Sequence, residues 1–366
     1  MTVLRGASFT RYDFGASLSA RDDSLLVGAP ARDYDGELST PPPIAFLFAR
    51  TDRGWTRTAQ FVAPDPALAE GFARAVALDS SRVVVSAPGY ENGDGAVSTY
   101  THDGSPQRQL DSPARNIDLF DQFGSAVAVD GESTIIGACL HGEAHAGAVY
   151  VFRADGSIAQ TLHGRVPRDG FGSSVAVDGE LMIVGASAEY SSGQLAGACY
   201  VFRRSSSGWY EHARVDGRHP GEAFGTSVAV CGDLFAAGAP GRPDLDASSP
   251  GRVDIYRVTA TGSERVTSLD DVASFGAAVT LRGDRLAVGQ PMFTRQSGPS
   301  QTGRVGLYRV QAGATHSLGW LELDELRPYA RLGASLAFGT GFLAAGAPGL
   351  GDANGSGEVS IAAADW

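Results

Sequence analysis

One short motif recurs seven times along the 366 residues and constrains the fold more than any other feature. Each copy has a Phe-Gly-like pair, and a Gly-Ala-Pro-like triplet begins fourteen residues after its Phe. The pairs are Phe14-Gly15, Phe72-Ala73, Phe123-Gly124, Phe171-Gly172, Phe224-Gly225, Phe275-Gly276 and Leu332-Gly333. The triplets begin at Gly28, Ser86, Gly137, Gly185, Gly238, Gly289 and Gly346. Successive pairs lie 48 to 58 residues apart, a spacing typical of propeller blades, which bury their faces only by stacking.

The fourth repeat shows how one blade is predicted to form. Alternating small and apolar residues predict a first strand from Ser173 to Val177, and Asp178-Gly179 is a favoured hairpin turn. Three further strands follow, at Leu181 to Val184, Ala198 to Phe202 and Trp209 to Val215. The sequence therefore predicts an all-β fold, a seven-bladed β-propeller of four-stranded antiparallel blades, as a single domain over residues 1–366.

Two features concern the ring itself. The second residue after each pair is small, which suits inner strands that converge on the axis and are buried on both faces; these residues are Ser17, Ala75, Ala126, Ser174, Ser227, Ala278 and Ser335. The seventh repeat has only three predicted strands, at Ala334 to Phe338, Phe342 to Ala345 and Glu358 to Ala362. We expect residues Thr2 to Gly6 to supply its missing outer strand and close the ring.

Composition narrows the class of partner. The net charge is −12, whereas nucleic-acid-binding surfaces are usually basic, so no nucleic-acid partner is expected. No apolar run is long enough for a membrane span, and the first residues lack a signal-peptide pattern. We expect a cytoplasmic protein if the chain is full length, or an extracellular one if a signal peptide was removed. The three cysteines do not form a disulfide framework.

The motif resembles the FG-GAP repeats of the integrin α-subunit propeller and of many bacterial propellers. This resemblance implies that ligands bind on the upper face, which carries the loops from strand 4 to strand 1 and from strand 2 to strand 3. Many family members also hold calcium in the strand 1 to strand 2 loop through a D-x-D-x-D-G pattern. Here those turns are short, as at Asp130-Gly131-Glu132, so we expect no calcium in them and a bacterial-type, calcium-free repeat.

Four of the seven histidines fall in predicted upper-face loops over blades 3 to 5. They are His141, His145, His163 and His219. Cys139, His141 and His145 have donor atoms suited to a metal, and His141 with Glu143 is suited to acid–base chemistry. Ordinary loop polarity is the competing interpretation. The candidate catalytic residues are His141, Glu143, His145 and His163. The candidate ligand-binding residues are His141, His145, His163, Arg168, Asp169, His219, Arg295 and Tyr329.

Three short segments resemble known binding motifs but are also explained as turns. Asp33 with Asp35, and Asp352 with Asn354, have alternating oxygens like a calcium loop, but surface turns are the favoured interpretation. Calcium binding stays open at these two places, and no other cofactor is predicted. Arg282-Gly283-Asp284 spells a tripeptide that integrins recognise, yet it occupies a predicted hairpin turn.

Long loops at 30–43, 240–250 and 291–303 are expected to build a rim over blades 1, 5 and 6. Their mixture of Arg and aromatic residues suits a protein, a glycan or a small polar molecule on the upper face. The leading hypothesis is therefore a binding propeller without chemistry of its own. The alternative is an enzyme of the lyase, isomerase or cyclase type, with its active site at the upper mouth of the axial channel.

Overall fold

The computed structural model describes residues 1–5, 12–31, 43–65, 70–113, 120–142, 144–187, 196–241, 250–272, 274–295, 298–311, 314–324, 327–349 and 357–365. Within these ranges, strands form seven four-stranded antiparallel sheets, which are the blades of a propeller. The prediction of an all-β, seven-bladed propeller is confirmed. The only helix in the described part of the chain is the single turn α1 (Tyr90–Gly93), after the second strand of blade 2.

In each blade the first strand is innermost and the fourth is outermost. Blade 1 contains β2 (Ser17–Arg21), β3 (Ser24–Ala29), β4 (Ile44–Thr51) and β5 (Gly54–Val62). Blade 2 contains β6 (Val76–Leu78), β7 (Val83–Ala87), β8 (Ala96–Tyr100) and β9 (Pro106–Asp111). Blade 3 contains β10 (Phe123–Asp130), β11 (Ser133–Ala138), β12 (Ala148–Phe152) and β13 (Ile158–His163). Blade 4 contains β14 (Phe171–Asp178), β15 (Leu181–Ala186), β16 (Ala198–Ser205) and β17 (Gly208–Asp216), which matches the strands predicted for the fourth repeat.

The remaining blades complete the ring. Blade 5 contains β18 (Ser227–Cys231), β19 (Leu234–Ala239), β20 (Gly251–Val258) and β21 (Ser263–Asp271). Blade 6 contains β22 (Ala278–Arg282), β23 (Arg285–Gln290), β24 (Arg304–Gln311) and β25 (Ala314–Leu321). Blade 7 contains β26 (Ser335–Gly339), β27 (Phe342–Ala347), β28 (Glu358–Ala363) and, from the N-terminus, β1 (Thr2–Arg5). Arg282 is the last residue of β22, and Gly283 and Asp284 form the tight turn to β23, as predicted.

The hydrophobic cores lie between consecutive blades. The cluster between blades 7 and 1, for example, joins Phe14 and Val27 to Phe342 and Val359. Each motif Phe, or Leu in the last repeat, is at most 2% exposed; these residues are Phe14, Phe72, Phe123, Phe171, Phe224, Phe275 and Leu332. Because a blade alone leaves these faces open to water, the seven repeats stabilise one another.

The two glycines of the motif meet across five of the seven blade boundaries. A Cβ on Gly238, in the triplet of blade 5, would lie 2.0 Å from the carbonyl oxygen of Gly276 in blade 6. Gly276 itself has φ +90°, a conformation that L side chains rarely adopt. The constant spacing between pair and triplet therefore reflects backbone-to-backbone contact between neighbouring blades.

The small residues of the inner strands also act across this boundary. The Ser227 hydroxyl of blade 5 donates a hydrogen bond to the Gly276 carbonyl of blade 6 at 2.8 Å. Ser174 of blade 4 and Ser17 of blade 1 make the corresponding bonds to the blade that follows each of them. Residues of the inner strands are mostly half-buried, because they line a central channel of about 310 Å³. One face of these strands packs on the preceding blade, as at Val127 and Val279. The other face contacts the next blade through residues such as Ser227, and the unpaired strand edge faces the axis.

Two connections close the ring. Strand β1 pairs with β28 in antiparallel register, from Thr2 opposite Ile361 to Arg5 opposite Glu358. The Ser335 hydroxyl of blade 7 donates to the Gly15 carbonyl of blade 1 at 2.6 Å. The predicted closure by the N-terminal strand is confirmed, and it removes an exposed sheet edge.

Candidate functional site

A cleft of about 880 Å³ opens on the upper face over blades 1 to 4. Its wall is built from residues that follow the second strands and precede the first strands, such as Pro30, Pro88 and Cys139. These positions meet there because each triplet ends a second strand at the upper face and each Phe-Gly pair leads into a first strand from the same face. The volume falls within the range typical of small-molecule sites.

The cleft combines unlike charges with an exposed aromatic ring. Asp13, Glu70 and Arg74 line it, together with Gln122. Glu70 and Arg74 are exposed, and no ion pair joins either side chain to another residue in the described ranges. Phe120 lines the same cleft with 61% of its surface exposed. Such a lining suits a polar ligand with an apolar face, because charges fix orientation and the ring provides contact area.

Beside the cleft, the structure brings together part of the predicted histidine cluster. Leu140 lines the cleft, and the next residue, His141, places Nδ1 3.2 Å from a carboxyl oxygen of Asp121. The Tyr150 hydroxyl lies 3.4 Å from the same nitrogen. The ring centroid of His163, an exposed residue at the end of β13, is 5.7 Å from that of His141. Burial and the nearby charge of Asp121 raise the pKa of Tyr150 to about 12, so its hydroxyl stays protonated near neutral pH.

Asp121 was not among the predicted site residues, although its position in the repeat could have indicated it. In blades 2 to 5 the residue two positions before the motif Phe is acidic: Glu70, Asp121, Asp169 and Glu222. Asp121 and Asp169 are each 2% exposed and receive polar contacts from their own blade. An acidic residue at a fixed place beside a buried Phe indicates a buried polar centre, because burial of a carboxylate requires hydrogen-bond donors.

The other predicted residues of blades 3 and 4 make separate contacts that do not include His141 or His163. The backbone N–H of Arg168 donates to the Ala144 carbonyl, while its side chain is exposed. Asp169 accepts a hydrogen bond from the Tyr200 hydroxyl at 3.0 Å, and burial raises its pKa. His145 contacts the Leu140 carbonyl through Nδ1 at 3.0 Å.

Three predicted ligand-binding residues occupy blades 5 to 7. His219 is exposed, and its carbonyl accepts from the Glu222 N–H. Arg295 forms an ion pair with Glu322. Tyr329 is 43% exposed. Among the described residues, no contact joins these side chains to the histidine pair, so a role in ligand binding stays a prediction for each of them.

The upper side of blades 5 and 6 is filled by buried ion pairs. In blade 5, Arg252 forms a double hydrogen bond to Glu222, at 2.6 and 2.8 Å, and a third bond to Asp254 at 3.2 Å. Burial alone would lower the pKa of Arg252, but these carboxylates hold it above its usual range. In blade 6, the guanidinium of Arg304 lies between the rings of Phe293 and Trp320, at 3.7 and 3.6 Å.

Asp271 binds the Arg304 guanidinium at 3.0 and 3.1 Å. Burial lowers the pKa of Arg304, and the charge of Asp271 opposes this effect. These groups satisfy one another, which is the usual state of buried charges. On the upper face, the cleft over blades 1 to 4 thus differs from blades 5 and 6, because its Glu70 and Arg74 side chains are exposed and form no ion pair with a described residue.

One candidate catalytic residue and the four acidic-segment candidates for calcium have no described position. Glu143, Asp33, Asp35, Asp352 and Asn354 lie outside the described residues. Within the described ranges, no group of three or more His, Cys, Asp or Glu side chains is arranged to hold a metal ion. The strand 1 to strand 2 turns that were predicted to lack calcium have two residues, as at Asp22-Asp23, except in blade 2, where residues 79–82 form the connection. Calcium binding at the two acidic segments stays open.

Comparison with known proteins supports the fold. The FG-GAP repeat profile matches residues 55–100, 115–152 and 165–202. A crystal structure of the computationally designed Ika8 protein aligns over 98% of both chains with a TM-score of 0.57 and 11% identity, a likeness of fold alone. No curated protein sequence matches the chain. No helix in the described ranges is both long and apolar enough to cross a membrane. The chain therefore contains FG-GAP repeats, and each of its seven motif copies forms one four-stranded blade.

Proposed function

We propose that this propeller is a binding module that holds a small polar ligand, or a polar group of a protein or glycan, in the upper-face cleft. The observation that carries the proposal is the cleft itself, about 880 Å³ in volume, with Glu70, Arg74 and the exposed ring of Phe120 in its wall. The FG-GAP propeller fold agrees with a binding or scaffold role. In blades 5 and 6 the charges of Arg252 and Arg304 are already balanced by carboxylates, whereas Glu70 and Arg74 in the cleft form no ion pair with a described residue.

The lining favours a ligand with both donors and acceptors. Glu70 accepts hydrogen bonds, Arg74 donates them, and the Gln122 amide can do both. A purely anionic ligand would meet repulsion from Glu70 and Asp13, and a purely cationic one would meet Arg74. Sugars, amino acids and exposed polar side chains of a partner meet this requirement.

Two cleft variants test the proposal. Arg74→Glu reverses the charge, and Phe120→Ala removes the exposed ring; both residues are exposed, so folding should be preserved. A panel of amino acids and sugars, together with a glycan array, is screened by thermal shift and direct binding. We expect a ligand whose affinity falls about tenfold or more in each variant, because a hydrogen bond to a charged group contributes about 1.5–3 kcal/mol.

The matched control is Arg53→Glu, which reverses the charge of an exposed arginine in the strand 3 to strand 4 turn of blade 1, on the opposite face. This variant should bind like the parent. Binding that is equally strong in the parent and in both cleft variants would contradict the proposal.

The enzymatic alternative rests on Asp121, His141 and Tyr150. The Nδ1 atom of His141 lies within reach of both a carboxylate and a protonated phenol, an arrangement suited to general acid–base catalysis at the edge of the cleft. A lyase, isomerase or cyclase would use these groups. Replacement of His141, His145 and His163 by Ala should then abolish turnover and leave ligand affinity nearly unchanged. A binding module with histidine contacts would instead lose at least tenfold in affinity.

A further inference from the structure

A second cavity, of about 430 Å³, lies between blades 2 and 3, away from the upper face. One wall belongs to blade 2 and contains Thr99, Gln107, Arg108 and Leu110 on β8 and β9. The other belongs to blade 3 and contains the turn at Gly131-Glu132, Thr134 on β11, and the turn from Arg153 to Gly156. The cavity therefore opens toward the side of the ring that carries the strand 1 to 2 and strand 3 to 4 turns.

This cavity follows from the short outer hairpin of blade 3. In blade 4 the corresponding strands β16 and β17 are longer. Trp209 of β17 is only 6% exposed and packs toward blade 3. There the Gln160 side chain forms hydrogen bonds of 2.7 and 2.8 Å with the backbone of Trp209. In blade 1, Trp55 packs on Phe342 of blade 7 with ring centroids 4.8 Å apart. Blade 3 has Ile158 at the start of its fourth strand, and this side chain is 40% exposed.

The lining is rich in hydrogen-bond donors above a buried floor. Of the twelve lining residues, three are Arg and one is Glu. Leu110, Thr99 and Thr134 are 5%, 7% and 1% exposed and form the floor, which therefore has both apolar and hydroxyl groups. A concave site with a few converging polar groups is the usual form of a small-molecule site.

The deepest of the three arginines is held rigidly. Arg82 is 8% exposed; its Nε lies 3.3 Å from Asp79, and its terminal nitrogen contacts the Gly131 carbonyl of blade 3. Hydrogen bonds from Ser81 and Arg82 outweigh the effect of burial and lower the pKa of Asp79, which therefore keeps its charge and balances Arg82. Arg82 thus contributes a fixed donor and little net charge.

The two rim arginines are more available. The stem of Arg108 lies against Gly156, where a Cβ would come within 2.6 Å of its Cδ, and no side-chain hydrogen bond joins Arg108 to another described residue. Arg153 donates to Ser157 and to the Ile158 carbonyl at 3.2 and 3.1 Å. Asp155, the nearby carboxylate, accepts two hydrogen bonds from Ser157, and its negative charge also acts on Arg153 and Arg108.

We infer that the cavity between blades 2 and 3 binds a small hydroxylated molecule with a single carboxylate or phosphate group. The negative group would lie between Arg108 and Arg153, whose guanidinium groups match the geometry of oxyanions. The hydroxyls would meet Thr99, Thr134, Gln107 and Glu132. Glu132 on the rim disfavours a polyanion, because a second negative charge would lie near this carboxylate.

Gluconate and glycerol 3-phosphate are suitable probes for the two kinds of oxyanion, and sorbitol is the neutral counterpart of gluconate. Binding is measured by isothermal titration calorimetry at constant ionic strength. We expect at least one of the two acids to bind with submillimolar or millimolar affinity, and sorbitol to bind at least tenfold more weakly. The acid that binds more tightly identifies the group, carboxylate or phosphate, that the site prefers.

Three variants locate the binding. Arg108→Gln and Gln107→Glu should each weaken binding about tenfold or more, the first by removing a charged donor and the second by adding repulsion. Both residues are exposed, so neither change should unfold the protein. Arg53→Gln removes an exposed arginine charge from the strand 3 to strand 4 turn of blade 1, outside the cavity, and should leave affinity within about twofold, since exposed charges at a distance are screened.

Three results would overturn the inference. They are the absence of binding by both acids up to about 10 mM, equal affinity for sorbitol and for the acid that binds more tightly, and equal effects of Arg108→Gln and Arg53→Gln. Arg74→Glu, in the upper cleft, should not change the affinity for either acid. The two sites are therefore tested independently of each other.

Discussion

Replacement of Gly238 by Ala is the most direct test of how the blades are held together. The new Cβ would lie 2.0 Å from the carbonyl oxygen of Gly276, whereas ordinary contacts of this kind begin near 3.4 Å. Blades 5 and 6 would have to separate locally by more than about 1 Å. The obstruction is backbone, so no side-chain rotation can relieve it.

The size of the effect follows from two contributions. Overpacking of a close-packed interior costs about 1–3 kcal/mol. The same displacement breaks the 2.8 Å hydrogen bond from Ser227 to Gly276, which contributes about 1 kcal/mol. We expect Gly238→Ala to lower the free energy of unfolding by about 3 kcal/mol, and the melting temperature by about 4 °C.

Two other glycines separate this effect from backbone strain. Gly232 has φ +58°, and no atom lies within 4 Å of the place that an added Cβ would take, so Gly232→Ala should cost only about 1 kcal/mol. Gly262 has neither a positive φ nor a neighbour within 4 Å, and Gly262→Ala should stay within about 0.5 kcal/mol. Urea unfolding followed by circular dichroism measures all three. If Gly238→Ala is no more destabilising than Gly232→Ala, the contact between blades does not have the role described.

Four further predictions concern other parts of the molecule. Ala278→Ser should raise stability by about 1 kcal/mol, because blade 6 lacks the hydroxyl that bonds the next blade in blades 1, 4 and 5; an unchanged or lower melting temperature would contradict it. Deletion of residues 1–7 should cost several kcal/mol and lower the melting temperature, since β28 loses its partner, and a truncated protein that melts like the parent would refute the importance of closure. A calcium chelator should leave the melting temperature unchanged, and a shift of more than a few degrees would direct attention to Asp33, Asp35, Asp352 and Asn354. Burial raises the pKa of Asp169 in the folded protein, so the contribution of this carboxyl group to stability is present below its unfolded pKa and is lost as the pH rises through the folded pKa. Asp169→Asn should therefore gain stability relative to the parent between about pH 4 and pH 7. Thermal melts that show the opposite trend would contradict the assignment.

The polar centres show why the candidate site was predicted only in part. His141 and His163 were selected because they fall in loops on one face, and the structure places their rings 5.7 Å apart. Asp121 and Tyr150 were missed, since one lies before the motif Phe and the other on a third strand, and only the blade's hydrogen-bonded register brings them to the same histidine. Side-chain type and loop position are local properties, but the pairing of distant charges is not.

The repeat determined the architecture without help from the structure. Seven copies of the pair and triplet at a fixed spacing specify seven equal sheets, because strand alternation and tight turns depend on neighbouring residues. The missing strand of the last repeat and the segment at Thr2 to Gly6 likewise predicted the closure that β1 provides.

Only the tertiary structure decided what lies between the blades. The spacing of small residues predicted close approach at the axis, but the hydrogen bond from Ser227 to Gly276 depends on how far one blade is offset from the next. The cavity between blades 2 and 3 likewise exists because the short hairpin of blade 3 faces Arg108 of another repeat. Contacts between repeats depend on the relative positions of whole sheets, and these follow from the sum of many packing interactions around the ring rather than from any local stretch of sequence.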